Sequence, residues 1–143
     1  MFAQPTHRYL KCLVSAVTVL SLVGVGIAPM TFAAITSATI NPLAIVTDNG
    51  RHLIVSGPMV CTESETVELR VQVTQRATGA VAEGRTSLTC TGAPQHWDVD
   101  AAIQGNKTFR EGSATAVAFG RTTARGASTD AHQWVVNITL AGE

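Results

Sequence analysis

His96, Asp98 and Asp100 are the residues best equipped for chemistry in this sequence, because an imidazole and two carboxylates can hold a divalent cation or relay a proton. Their spacing argues against both. Alternate residues of a strand share one face at a separation of about 6.5 to 7 Å, so three in line cannot close a compact set around one ion. We read the trio as a solvated polar face, with no metal and no cofactor. His52 and His132 are isolated histidines, and no Gly-x-Ser-x-Gly turn offers either of them a nucleophile. Both are read as polar residues at strand edges. Glu63, Glu65 and Glu68 form a small acidic group that protects a strand edge from pairing with other chains. The triplets Asn106-Lys107-Thr108 and Asn137-Ile138-Thr139 match glycosylation acceptors, a pattern that a threonine-rich chain produces by chance. The sequence holds no Gly-rich phosphate loop and no zinc-type Cys/His spacing.

The N-terminus sets the compartment in which these residues work. His7, Arg8 and Lys11 precede an uncharged run from Leu13 to Ile27, and Ala28-Pro29-Met30-Thr31-Phe32-Ala33 follows. A basic stretch, an apolar stretch and small residues at Thr31 and Ala33 make a helical signal peptide over 1–33, cut so that the mature chain begins at Ala34. The apolar run is shorter than the roughly 20 residues a spanning helix needs and is diluted by Ser15, Thr18 and Ser21. No stable membrane anchor is expected after cleavage, and the protein is read as secreted, whether extracellular or periplasmic. Cys12 leaves with the leader. Cys61 and Cys90 then remain in an oxidising compartment, where a disulfide is the default.

All ten acidic residues lie beyond the leader, whereas Arg8 and Lys11 lie within it. The mature part is a single domain over 34–143, about 110 residues long and slightly acidic. That balance excludes a nucleic-acid binder driven by phosphate neutralisation and offers no polybasic patch to anionic lipid.

Strands must position everything. Period-2 alternation dominates and no window sustains a 3.6-residue period. The clearest run is Val67-Glu68-Leu69-Arg70-Val71-Gln72-Val73-Thr74, with its aliphatic residues on one face. Trp134, Val136, Ile138 and Leu140 alternate in the closing strand. Further strands are placed near 35–41, 43–48, 51–61, 80–91, 95–101 and 113–124. Asp48-Asn49-Gly50 predicts a type I′ hairpin, because Asn and Gly tolerate positive φ. If Cys61 faces inward, so do Met59, Gly57, Val55 and Leu53; if Cys90 does, so does Leu88. Trp97, Val99 and Ala101 form another inward set, and Val117 with Phe119 a further one. Short strands punctuated this often predict an all-β, antiparallel β-sandwich of about 7–8 strands with one disulfide, a small barrel being the other way to cover the edges.

Val60-Cys61-Thr62, Cys90-Thr91-Gly92 followed by Trp97, and the Gly112 to Ala116 segment resemble a family of small exported actinobacterial proteins grouped as a domain of unknown function. The resemblance spans most of the mature chain and implies an immunoglobulin-like sandwich. Its anchors are scaffold residues, so it implies no catalytic residue. Trp97 follows the second cysteine here, whereas an immunoglobulin disulfide brackets its tryptophan. Thr86-Ser87-Leu88-Thr89-Cys90 partly resembles the Thr-Leu-x-Thr-Cys strand of sortases, which act through a free thiolate, a His and an Arg. Cys61 is available to bond that thiol, and no Arg follows it before Arg110, so the structural bridge is preferred.

A stapled scaffold without a convergent titratable cluster is built to present surface. The expectation is a secreted, non-catalytic β-sandwich binding module whose partner is a protein, glycan or small ligand. A small-ligand carrier is the alternative, and a small metal-dependent hydrolase the third reading. An apolar pocket of about 300 Å³ or more between the sheets favours the carrier, and a filled core with a flat exposed patch favours protein or surface binding.

Overall fold

The computed structural model describes residues 34–143; the leader expected over 1–33 lies outside the described residues. Eight strands follow in chain order: β1 (Ile35–Ala38), β2 (Leu43–Thr47), β3 (His52–Cys61), β4 (Thr66–Gln75), β5 (Ala80–Thr89), β6 (Gln95–Ile103), β7 (Gly112–Ala124) and β8 (Ala127–Gly142). Alternation in the sequence becomes alternation in burial. On β4, Val67, Leu69, Val71 and Val73 are buried while Glu68, Arg70, Gln72 and Thr74 face solvent. The inward sets expected on β3 and β6 are likewise buried, from Leu53 to Cys61 and from Trp97 to Ala101.

The strands form one sheet in the order β1-β3-β2-β8-β7-β4-β5-β6, and β6 pairs back onto β3. Seven strands, β2 to β8, therefore close a barrel, and β1 is an extra strand on β3. This corrects the expected immunoglobulin-like sandwich. Sandwich and barrel both bury one face of every strand, so period-2 patterning serves either. The difference lies in which distant edges pair. One edge of β3 pairs with β6 from His52 to Met59; the other pairs with β2 at its start and β1 at its end. Parallel pairing of β2 with the last residues of β8 completes the ring.

The interior is filled by large side chains set beside small ones. Leu69 stands across from Gly120, Val71 from Ala118 and Gly84, and Val73 from Ala116 and Ala82. The contact of β5 with β6 is short, Ala82 to Ile103 and Glu83 to Ala102. Beside it a side chain at Gly84 would overlap Val99 and the Asp100 carbonyl, so glycine is what lets the two strands cross closely at this corner. Cys61 and Cys90 form the expected disulfide, Cα to Cα 5.4 Å, tying the end of β3 to the end of β5.

Asp48-Asn49-Gly50 does join β2 to β3, but not as a two-residue turn. Thr47 pairs with His52, which leaves four residues in the loop, and Asp48, Asn49 and Gly50 take φ of 46°, 53° and 85°. The wider loop receives the buried Phe109, whose N–H donates to the Gly50 carbonyl (2.9 Å). β8 begins at Ala127, earlier than its alternation shows, because β7 pairs with it back to the Arg125-Gly126 turn.

Among the described residues no helix is long and apolar enough to cross a membrane. The outer faces of β4 and β6 carry Glu68, Arg70, Asp98 and Asp100.

Candidate functional site

Val117 and Phe119 do not enter the core. The inward positions of β7 are Ala114, Ala116, Ala118, Gly120 and Thr122, and Phe119 stands 44 % exposed on the outer wall. A strand can turn only one parity inward, and the space facing β7 is already occupied by Leu69, Val71 and Val73 of β4. Small residues fit there, and the larger ones are left outside.

The ladder fixes the surroundings of Phe119. It stands across from Arg70 of β4 on one side and Gln133 of β8 on the other, and Arg70 stands across from Arg85 of β5. Two positions along, Arg121 faces Glu68. Val117 faces Val135, which is 61 % exposed, so an apolar strip crosses β7 and β8 next to the arginines.

Two carboxylates organise the arginines. Arg70 Nη2 and Arg85 Nη2 both donate to Glu83, the latter at 3.4 Å, and Arg121 Nη2 donates to Glu68. The hydrogen bond from Arg70 holds the Glu83 carboxyl below its ordinary range, and the same contact pushes the Arg70 guanidinium up. Three guanidinium groups against two carboxylates leave positive charge on this wall. Arg85 is the most accessible, its side chain 72 % exposed and its contact long. An open groove of about 600 Å³ runs among Glu68, Arg70, Arg85, Phe119 and Arg121. Exposed aromatic and arginine side chains of this kind are enriched where proteins meet partners.

His96, Asp98 and Asp100 line the outer face of β6, as their spacing requires. The register of β3 on β6 brings His52 Nδ1 to 2.7 Å from Asp100 Oδ1, so His52 is not isolated in space. His132 Nε2 meets Asp130 Oδ2 at 2.8 Å and its ring stacks on Trp134, centroids 6.2 Å apart. Among the described residues no three His, Cys, Asp or Glu side chains come together to hold a metal. Glu68 pairs with Arg121, and Glu65 is almost buried near the disulfide end. Asn137 Oδ1 accepts a bond from Thr115 Oγ1 (3.2 Å) on the outer wall.

Comparison with known proteins finds no family model that matches this chain and no match among the curated proteins.

Proposed function

We propose that residues 34–143 form an exported, non-catalytic binding module that recognises a protein partner through the outer wall of β5, β4, β7 and β8. The inversion at β7 carries this reading: alanines fill the interior while Phe119 and Val117 are turned outward beside Arg70, Arg85 and Arg121. Single apolar residues on a surface are ordinary; an apolar strip flanked by guanidinium groups is the composition of a contact surface. The surplus positive charge favours a partner that presents acidic side chains. The interior is packed with aliphatic side chains, and the grooves described lie on the outside of the wall or at its loops, which supports surface recognition over a sheltered small ligand.

The test is capture from the native culture supernatant on immobilised residues 34–143, in parallel with the Phe119→Ser, Arg85→Glu double variant. A protein held by the unaltered domain and lost with the variant is expected. Equal retention by both moves the contact away from this wall, and retention of no protein by either overturns the reading.

A further inference from the structure

Leu43, Ile54, Phe119 and Val135 are the large apolar side chains left exposed among the described residues, and they fall on two walls of the barrel. Phe119 and Val135 belong to the arginine wall. Leu43 and Ile54 belong to another wall, made by β2, β3 and β6. There Ile54 stands between Ile45 of β2 and Asp100 of β6, and Ser56, two positions along, stands across from Asp98. The outer face of β6 thus sets two carboxylates beside an aliphatic strip. Asp100 has His52 as its partner, and among the described residues Asp98 is in no ion pair.

The two walls share a layout and differ in the sign of their charge. On one, Phe119 and Arg70 are ladder neighbours, with Arg85 one strand beyond. On the other, Ile54 and Asp100 are ladder neighbours. Each wall therefore holds an apolar side chain one strand, about 4.8 Å, from a charge. Face to face, Phe119 covers Ile54 while the arginines meet the carboxylates of Asp98 and Asp100. A single chain cannot make this contact with itself. Around the closed ring β5 separates β4 and β7 from β6 and β3 on one side, and β8 with β2 separates them on the other, so the two walls face outward in different directions.

We propose that the partner of the arginine wall is a second copy of this chain, which lays its Ile54, Asp98 and Asp100 wall on Phe119, Arg70 and Arg85 head to tail. The inference rests on the protein-binding function proposed above and names the partner. Because the two surfaces in contact differ, each added copy leaves one wall of each kind open, and the contact builds a ring or an open chain of copies. A face a few strands wide lies at the small end of specific interfaces, so the association is reversible and grows with concentration. Its charges speed and orient the encounter, which makes it sensitive to salt.

The test is sedimentation velocity on residues 34–143, whose closed ring contains the whole hydrophobic core. The unaltered domain is expected to gain mass as concentration rises and to lose most of that gain in about 1 M salt, where the Debye length is about 3 Å. That measurement needs no substitution. Two double variants each disable one wall: Phe119→Ser with Arg85→Glu, and Ile54→Ser with Asp98→Asn. Each variant alone is expected to remain a single chain. Their equimolar mixture is expected to form a complex of one copy of each, since each keeps the wall that the other has lost. Single chains at every concentration of the unaltered domain overturn the second copy and leave the arginine wall to be judged by capture from the supernatant, whereas a capture that retains no protein removes both readings. Association that persists in either variant alone, or a mixture that forms no complex, overturns the head-to-tail pairing.

Discussion

Gly57 of β3 stands directly across from Trp97 of β6, and the indole occupies the space that a side chain at position 57 would need. A Cβ there would come within 2.8 Å of Trp97 Cζ2 and would overlap the Thr39 carbonyl. Backbone cannot yield as the tip of a side chain can, so the chain segment between β1 and β2 would have to move. Gly57→Ala is expected to cost about 2 to 3 kcal/mol, the upper part of the range for overpacking a filled core. Urea unfolding checks it: the midpoint falls while the slope against urea is unchanged.

The disulfide joins β3 and β5, two strands that share no ladder. β5 touches β6 through two residue pairs near one end, and Cys61–Cys90 closes the opposite end, 29 residues apart in sequence. Constraining the unfolded chain by a loop of that length is worth roughly 3 to 4 kcal/mol. Replacing both cysteines by alanine is expected to lower the stability measured by denaturant by about that amount, a large share of the total for a domain of this size.

The depth at which sequence is readable follows from how local each feature is. All eight strands and the inward parity of β3, β4 and β6 were legible, because Val67 to Val73 or Leu53 to Cys61 declare their buried face within ten residues. The pairing of Cys61 with Cys90 followed from compartment and number. Barrel closure was not legible, since it depends on β6 meeting β3 and on β2 lying parallel to β8, contacts between segments far apart in the chain. The parity of β7 was misread for a chemical reason. Its inward residues are three alanines, Gly120 and Thr122, which carry little hydrophobic signal, whereas the outward Val117 and Phe119 carry more. The pairing of His52 with Asp100 likewise needs the register of two strands and leaves no mark in either alone.

Asp130 gives the acid limb of stability a specific origin. Burial raises its carboxyl, but the backbone N–H groups of Ile35 and Ala131, together with His132, outweigh this and hold it below the ordinary aspartate range. A depressed folded-state pKa means that the contribution is complete above the unfolded value of about 3.9 and is lost as pH falls through the folded value. The urea midpoint is expected to decline below about pH 4 in the unaltered domain and to decline less in Asp130→Asn, the two curves approaching each other in acid. Parallel curves would assign the acid loss to other carboxylates.

The wall proposed to meet a partner makes a prediction that runs against side-chain hydrophobicity. Ala116 is fully buried, standing across from Val73 of β4 and Val136 of β8, whereas Phe119 three residues on projects into solvent across from Arg70. Ala116→Leu adds apolar volume to a filled interior and is expected to destabilise by about 1 to 3 kcal/mol. Phe119→Ser removes a large apolar side chain from the outer wall and is expected to stay within about 0.5 kcal/mol, the usual scale for surface substitutions. Denaturant unfolding of the two variants side by side decides the parity of β7. A costly Phe119→Ser with a harmless Ala116→Leu would return Phe119 to the core and remove the centre of the proposed contact surface.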